Sequence, residues 1–416
     1  MKNKDIQILA PVGSYETLQA AIQGGADAVY FGVGHLNMRS RSSANFTLDD
    51  LAEIVKICDN NNIKSYLAVN TVIYDHEMDN MKKLVKAAKK NKVTAIIASD
   101  QSVMNYAHSI GVQVNASTQL NISNIESVKF YAQYVDVIVL ARELNLKQVA
   151  DIVKEIKKQK IKGPSGELIK IEIFIHGALC MAISGKCYMS LHTYNHSANR
   201  GACLQVCRRA YELIDKETGD KLEVDNEYIM SPQDLCTIEF LDQILDTGAS
   251  ILKIEGRARP PEYVKTVTTC YREAVNAYLN KTYDSKKAKA WKKKLATVFN
   301  RGFWDGYYLG KKLGKWSDVY GSKATHKKVY VAKGIKYFDN LQVGEFKVEA
   351  DSLNIHDSIL IIGPTTGVIE AKVKEIRIDD NTVKKAKPGD IISIPIKEKV
   401  RKSDKLYKLI PNEKTA

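Results

Sequence analysis

The alternation of strand-like and helical segments constrains the fold of this chain more than any other sequence feature. Over roughly the first two-thirds of the chain, short β-rich runs alternate with longer amphipathic stretches such as 47–60. Alternation of this kind predicts a parallel sheet whose strands are joined by helical crossovers. Eight runs carry the β-rich pattern: Ile6–Ala10, Ala28–Phe31, Ser65–Val69, Ala95–Ala98, Val112–Asn115, Val135–Leu140, Ile171–Ile175 and Ile251–Ile254.

These runs and two changes of pattern predict the domain organisation. Eight strands with intervening helices are typical of an α/β fold, a (β/α)8-type (TIM-like) barrel, here over residues 1–285 with a Cys-rich insertion at 176–250. A doubly wound open sheet is the alternative, but no G-x-G-x-x-G turn follows any run. We expect 286–326 to be a helical and aromatic linker. Short alternating runs separated by turn signals then predict a small C-terminal all-β barrel domain at 327–416.

The charge of the chain favours a polyanionic partner. Its 416 residues carry a net charge of +14, and RNA is a common polyanion in the cytoplasm. A lysine-rich genome that places Lys on every surface explains the same composition. No apolar signal region opens the sequence, and no segment approaches the roughly 20 apolar residues that span a bilayer. We therefore expect a cytoplasmic protein with no membrane association.

Five of the seven cysteines fall between 180 and 236, which predicts a metal centre in the insertion. An odd cysteine count in a reducing compartment argues against a disulfide framework. The spacings are neither the C-x2-C pairs of a zinc ribbon nor those of a ferredoxin. Free cysteines are also common as small buried hydrophobes, and we assign that role to Cys58 and Cys270, which lie on helical faces.

The segment His176-Gly-Ala-Leu-Cys-Met-Ala-Ile-Ser-Gly-Lys-Cys-Tyr-Met-Ser190 resembles the signature of the collagenase-like peptidase family U32. Further matches extend the resemblance over nearly the whole chain. They include Leu9–Gly13, Asp27–Gly32, Leu140–Leu144, Lys253–Arg257, Phe299–Phe303 and Gly389–Pro395. Within the family, the architecture is most similar to the prephenate-dependent tRNA hydroxylases, which make 5-hydroxyuridine at the wobble position of tRNA.

This resemblance implies a cofactor, a co-substrate and a partner. The cofactor is a [4Fe–4S] cluster, which the resemblance places on Cys180, Cys187, Cys203 and Cys236. Relatives with a Cys-x3-Cys pair leave the role of Cys207 open. The co-substrate is prephenate, used as the hydroxyl donor, and the partner is tRNA, held at its anticodon arm. A paralogous protein is a further possible partner.

Arginines at the carboxyl ends of the predicted strands are the candidates for binding prephenate. A dicarboxylate needs paired cations in a partly dry site, and the functional face of a barrel lies at these strand ends. The candidates are Arg39, Arg41, Arg142 and Arg257. Structural ion pairing is the alternative for each of them. His176, Glu143 and Glu255 are the candidate catalytic residues, although a histidine at the end of a buried strand is often a hydrogen-bonded core residue.

Three other functions remain open at the level of sequence. A related hydroxylase acting on 23S rRNA or on a quinone precursor keeps the fold and the cluster. A collagenase-type peptidase requires a nucleophile and a base, and the chain has neither a Gly-x-Ser-x-Gly elbow nor a His-Glu-x-x-His helix. A non-catalytic RNA-binding scaffold is the third. Lysines of the C-terminal region, including the run Lys397–Lys405, favour RNA docking there.

Overall fold

The structure is a computed structural model that describes residues 6–41, 45–222, 230–310, 314–319, 321–379 and 381–412. The helices are α1 (Tyr15–Gln23), α2 (Asp50–Asn60), α3 (Met78–Lys90), α4 (Gln101–Ser109), α5 (Ile125–Tyr131), α6 (Leu146–Gln159), α7 (Met189–Tyr194), α8 (Leu241–Asp246), α9 (Pro261–Leu279) and α10 (Ser285–Leu295). The strands before residue 320 are β1 (Gln7–Pro11), β2 (Ala28–Gly32), β3 (Lys64–Val69), β4 (Ala95–Ala98), β5 (Val114–Ala116), β6 (Val137–Val139), β7 (Lys170–Gly177), β8 (Leu213–Ile214), β9 (Lys221–Leu222), β10 (Asp234–Cys236), β11 (Ile251–Ile254) and β12 (Phe303–Trp304).

Eight parallel strands close into a barrel. Strands β1 to β7 pair in sequence order, and β11 pairs with both β1 and β7. Most of these strands are buried along their whole length, as expected where helices cover the outside and side chains fill the inside. The predicted TIM-like barrel is therefore confirmed, and each of its strands overlaps one of the eight β-rich runs.

The insertion between β7 and β11 is tied to the rim of the barrel by a short antiparallel pairing. In it, Leu235 and Cys236 of β10 lie opposite Gly177 and His176 of β7, and β12 then extends the sheet beside β10. The described part of the segment 286–326, which was expected to be a linker, packs against the barrel. Side chains of α10 and β12, among them Leu295 and Trp304, belong to the same hydrophobic core as the barrel helices.

The C-terminal region is all-β, as predicted. Its main sheet of eight antiparallel strands runs in the order β17-β16-β22-β13-β14-β21-β18-β19, with a small separate sheet of β15 and β20. A second hydrophobic core, with Phe346 at its centre, lies inside this region. Its strands are β13 (His326–Phe338), β14 (Val343–Val348), β15 (Leu353–Asn354), β16 (Ser358–Gly363), β17 (Gly367–Lys372), β18 (Ile376–Ile378), β19 (Asn381–Val383), β20 (Lys385–Ala386), β21 (Ile391–Pro395) and β22 (Lys405–Pro411).

The C-terminal sheet docks on the outside of the barrel, on helices α1 and α9. The amide of Gln23 makes two hydrogen bonds to the turn between β16 and β17, donating to Thr366 O at 2.9 Å and accepting from Val368 N at 2.9 Å. An ion pair at 2.9 Å joins Lys328 to Glu262 of α9. This interface lies along the flank of the barrel, so the loops at the carboxyl ends of the strands stay uncovered by it.

In the part of the chain that the structure describes, no helix is both long enough and apolar enough to cross a membrane.

Candidate active site at the mouth of the barrel

A cavity of about 430 Å3 lies between the carboxyl ends of the barrel strands and the insertion. Side chains of the strands themselves border it, including Tyr30 of β2, Phe174 of β7 and Lys253 of β11. The remaining lining comes from the loops that follow the strands and from residues 178–190 and 203–208 of the insertion. This mouth cavity is the place where barrel enzymes carry their active sites, because eight independent loops converge there.

Four of the five clustered cysteines line the mouth cavity. They are Cys180, Cys187, Cys203 and Cys207, and none of them is fully buried. Burial raises the pKa of Cys207, the Arg208 guanidinium opposes this, and the neighbouring thiols raise it further. Burial likewise raises the pKa of Cys187, with Cys180 and Cys203 adding to the effect. The four thiols are thus close enough to influence one another, and an external cation would be needed to hold them all deprotonated.

The structure places Cys236, the fourth ligand implied by the resemblance, in the core beside Tyr271 of α9. It is 7% exposed and does not line the mouth cavity. Burial raises the pKa of Cys236 to about 11, and its polar neighbours are Tyr271 and Lys292. The reason is the antiparallel pairing of β10 with β7, which sets Cys236 opposite the buried His176. The cysteine next to the other three is Cys207 instead.

Four cysteine thiols around one cavity are the donor set that an iron–sulfur cluster requires. Among the described residues, no group of three or more His, Cys, Asp or Glu side chains converges tightly enough to hold one metal ion. A single zinc ion draws its ligand atoms to within about 2.0–2.3 Å of one point. An iron–sulfur cluster instead takes one thiolate at each of its irons, so its cysteines spread around a larger group.

Arg39 and Glu255 form an ion pair at the rim of the mouth cavity. The distance from Arg39 Nη2 to Glu255 Oε1 is 2.7 Å, and the Tyr30 hydroxyl donates to Glu255 Oε2 at 3.2 Å. Burial alone would raise the pKa of Glu255, but the guanidinium groups of Arg39, Arg142 and Arg257 lower it to about 2. Glu255 is therefore ionised at neutral pH and has no proton to donate there.

Arg142 and Arg257 reach the same cavity and act on Glu255 from a distance, but neither forms an ion pair among the described residues. Arg142 donates to Ala178 O at 3.0 Å and lies 3.8 Å from the centre of the Phe174 ring, while its buried Nε has no partner there. Arg257 is 6% exposed and donates to Asn37 Oδ1 at 3.0 Å. Burial lowers the pKa of Arg257 to about 10, which leaves it charged at neutral pH. One buried and one half-buried guanidinium group of this kind favour an anionic ligand.

Lys253, which the sequence analysis did not select, contributes a further cation to the wall of the cavity. Its Nζ lies 2.6 Å from Oε1 of the fully buried Glu172 and 4.6 Å from the centre of the Tyr30 ring. Among the described residues, Glu172 Oε2 has no hydrogen-bond partner. The sequence could have identified Lys253, because it is a charged residue inside the apolar run Ile251–Ile254. A buried charge of this kind requires a partner and often has a function.

The structure separates the other candidates from the mouth cavity. His176 is 1% exposed, packs against Tyr263, Tyr271 and Phe303, and has a pKa lowered to about 3 by burial and by Arg259. It is therefore neutral at physiological pH. Glu143 is exposed and lies outside the cavity lining. 

Arg41 also lies outside the mouth cavity. It is exposed, its Nη1 lies 2.5 Å from His196 Nε2, and it borders a second, adjoining cavity. Of the four candidate arginines, the structure thus brings Arg39, Arg142 and Arg257 together and leaves Arg41 apart from them.

The family of the chain follows from its comparison with known sequences. The profile of Peptidase family U32 matches residues 13–318, well over half of the chain. The chain belongs to peptidase family U32. A protein named collagenase from Porphyromonas gingivalis is 58% identical over 413 residues, which covers 99% of this chain and 100% of that protein. The family resemblance found in the sequence is thereby confirmed.

Other U32 relatives have names that refer to RNA. The tRNA hydroxylation protein P1 of Bacillus subtilis is 33% identical over 314 residues, which covers 74% of this chain and 72% of that protein. A 23S rRNA 5-hydroxycytidine synthase of Escherichia coli is 32% identical over 316 residues, 74% of this chain and 46% of that protein. This U32 chain is therefore related to proteins named for two different activities, hydroxylation of RNA and proteolysis.

Proposed function

We propose that this U32 protein is a tRNA hydroxylase that converts the wobble uridine to 5-hydroxyuridine, with prephenate as the hydroxyl donor. The observation that carries the proposal is the mouth cavity, where four thiols and two arginines border the same space, and neither arginine forms an ion pair among the described residues. This combination suits a metal cluster beside a bound dianion. The names of the RNA-hydroxylating relatives give the substrate class.

The cluster in this proposal is a [4Fe–4S] centre held by Cys180, Cys187, Cys203 and Cys207. The choice of Cys207 over Cys236 follows from their positions, because only the former lines the mouth cavity. When bound, such a centre supplies one-electron redox chemistry. The chain supplies the partly enclosed site and the Arg208 guanidinium beside the thiols, which favours their deprotonated form.

Arg142, Arg257 and Lys253 would hold the two carboxylates of prephenate. Arginine binds carboxylates through paired donors. Arg142 and Arg257 each donate through Nη1 to a neutral oxygen, which leaves Nη2 of each to face a ligand. The rings of Tyr30 and Phe174, which also border the cavity, offer an apolar surface to the ring of the ligand. The Arg39–Glu255 pair fixes one edge of the site and keeps its own charges balanced.

The protonation states limit the roles of the candidate acids and bases. Since the pKa of Glu255 lies at about 2, it acts by orienting Arg39 and Tyr30, and it is too weak a base to accept a proton readily at neutral pH. His176 is neutral and enclosed by aromatic rings, and its Nδ1 lies 3.4 Å from the Tyr271 hydroxyl. It therefore supports the β7 wall of the site, away from the cavity itself.

The direct test is a nucleoside analysis of tRNA from a strain that lacks this protein and any paralogue. We expect 5-hydroxyuridine and its derivatives to disappear, and to return when the wild-type gene is restored but not when the Cys180→Ala variant is. Normal amounts of these nucleosides in the deletion strain would refute the proposal. If a modified nucleoside is instead lost from 23S rRNA, that RNA is the substrate of the protein.

A peptidase is the second candidate, favoured by the 58% identity to a protein named collagenase. A cysteine peptidase needs a thiol and an imidazole within hydrogen-bonding distance. His176, which precedes Cys180 at the end of β7, instead contacts three aromatic rings in the core. Collagen or gelatin cleavage by purified protein that survives Cys180→Ser and iron chelation, yet is lost with one other side chain, would favour the peptidase.

A further inference from the structure

A second cavity, of about 490 Å3, adjoins the mouth cavity and is rich in positive charge. Five arginines border this arginine cavity, and none of the described residues that line it is an aspartate or a glutamate. The five are contributed by separate parts of the chain, from the loop after β2 to the segment after α10. They are Arg41, Arg208, Arg209, Arg259 and Arg301.

Among the described residues, the buried Asp234 carboxylate acts on three of these five arginines, and one carboxylate leaves an excess of positive charge at the cavity. Arg301 faces Asp234, with 3.5 Å between Nη1 and Oδ1. Arg208 uses its guanidinium on neutral acceptors, including Pro232 O at 2.8 Å. Arg259 has no ion pair among the described residues and lies against an aromatic ring. Guanidinium groups gathered in a partly enclosed space repel one another, so a bound anion would stabilise the arrangement.

The two cavities share a wall. Cys203, Gln205, Arg208 and Arg259 border both of them. A ligand in the arginine cavity therefore lies directly beside one in the mouth cavity. One extended ligand that places an anionic group on one side of this wall and an uncharged ring on the other would occupy both.

Exposed aromatic rings flank the same region. Tyr188 is 76% exposed at the mouth cavity, and Tyr194 is 39% exposed. The Arg209 guanidinium lies 5.2 Å from the centre of the Tyr194 ring. Exposed aromatic side chains beside arginines are typical of surfaces that stack unpaired bases and hold the backbone of single-stranded nucleic acid.

We propose that the arginine cavity binds backbone phosphates of a single-stranded RNA loop, next to the nucleotide whose base enters the mouth cavity. The inference rests on the proposed function, since it assumes an RNA substrate. A phosphodiester chain repeats its charge along the strand and so matches guanidinium groups that are set apart from one another. A small dicarboxylate offers only two charges, which the arginines of the mouth cavity already match.

The test measures the affinity of the cluster-containing protein for an anticodon stem–loop RNA at several salt concentrations. The variant is the double substitution Arg41→Gln with Arg209→Gln, because both side chains are exposed and their loss leaves the core intact. The control is Lys86→Gln with Lys90→Gln, which removes the same charge from the exposed face of α3. Each phosphate contact on a single strand contributes about 0.7 to the slope of log K against log salt.

We expect the arginine variant to bind more weakly and to lose about 1.4 from the magnitude of that slope, while the control keeps the wild-type value. Prephenate affinity and iron content should be unchanged in both. An unchanged slope in the arginine variant, or an equal loss in the control, would overturn the inference. Weaker prephenate binding in the arginine variant would also overturn it, because the arginine cavity would then bind the dicarboxylate and not the RNA phosphates. The nucleoside analysis of the deletion strain judges the proposed function separately.

Discussion

At the scale of single residues, the mouth cavity combines side chains whose charges are balanced with side chains whose charges are not. Arg39 pairs with Glu255 and Lys253 pairs with Glu172, at 2.7 and 2.6 Å. Arg142 and Arg257 have no such partner among the described residues. Ion-paired side chains hold one another in position when no ligand is bound. Cations that form no ion pair instead contribute free energy to the binding of an anion. The division assigns a binding role to the two arginines and a structural role to the pairs, and Lys253 combines its structural role with a place in the cavity wall.

The position of Cys207 leads to a prediction about the metal content. Protein purified without oxygen should contain about four irons and four acid-labile sulfides per chain, with the broad visible absorption of such a cluster. Cys207→Ala should lose most of the iron, because its thiol lines the mouth cavity with three others. Cys236→Ala, the matched control, should keep its iron because that thiol is buried elsewhere. The reverse result would return the fourth ligand to Cys236.

Lys253 should be required for both stability and binding. Lys253→Met leaves the fully buried Glu172 carboxylate without its counter-ion, which should lower the free energy of unfolding by about 3 kcal/mol. The double variant Glu172→Gln with Lys253→Met should recover most of this loss, as measured by urea unfolding. Prephenate affinity, measured by calorimetry, should stay weak in both. Recovery of that affinity in the double variant would show that Lys253 acts only through Glu172.

At the scale of elements, the insertion depends on ties to the barrel loops. Arg200 Nη2 lies 2.7 Å from Glu77 Oε1, and Arg200 Nη1 donates to Val72 O at 2.6 Å in the loop after β3. The guanidinium also stacks on Tyr74, at 3.9 Å from the ring centre. Short helices and loops bury little apolar surface. Hydrogen bonds and ion pairs of this kind therefore contribute much of the free energy that holds the insertion against the barrel loops.

The Glu77–Arg200 pair predicts a pH dependence for the docking of the insertion. Hydrogen bonds from Arg200 lower the pKa of Glu77 from its ordinary value of 4.5 to about 2. The stabilisation is therefore complete above pH 4.5 and disappears as the pH falls towards 2. Glu77→Gln should increase hydrogen exchange at residues 198–202 at neutral pH. Glu126→Gln, which breaks the exposed pair with Lys129, should leave that exchange unchanged.

At the scale of the whole molecule, the barrel and the C-terminal sheet are joined through the outer helices, away from the mouth cavity. Three side chains of the barrel helices, Gln23, Glu262 and Lys265, make polar contacts with the sheet. Leu360, Ile362 and Val368 of the sheet belong to the hydrophobic core of the barrel. A shared core makes the two regions one packed unit, so their relative position is set by burial as well as by hydrogen bonds.

Gln23 provides a test of this interface. Gln23→Ala removes both hydrogen bonds to the turn between β16 and β17, which should lower the local stability of that turn by about 2 kcal/mol. Hydrogen exchange at the Val368 amide should accelerate accordingly, while iron content stays at the wild-type value. Gln159→Ala on the exposed end of α6 is the matched control and should change neither quantity. Loss of iron in Gln23→Ala would show that the interface reaches the active site.

The barrel could be predicted from the sequence because its signals are local. A strand between amphipathic helices shows itself within a dozen residues, and the carboxyl ends of parallel strands share one face of the barrel. This reasoning correctly placed Arg39, Arg142 and Arg257 around one cavity. The same rule placed Arg41 with them, but that side chain lies in the adjoining cavity. Strand order alone does not tell which way a loop residue points.

Which cysteines share the mouth cavity, and how its charges are balanced, were decided by the tertiary structure. Cys207 and Cys236 both lie in the Cys-rich interval. The pairing of β10 with β7 buries Cys236 outside the mouth cavity, whereas Cys207 lines that cavity. The role of Lys253 likewise depends on Glu172, 81 positions earlier in the chain, which becomes its neighbour when β7 and β11 close the barrel. The sequence by itself determined which segments form the barrel and that its mouth is basic and rich in cysteine. Contacts between distant segments decided which of those side chains meet, because they depend on barrel closure and loop conformation.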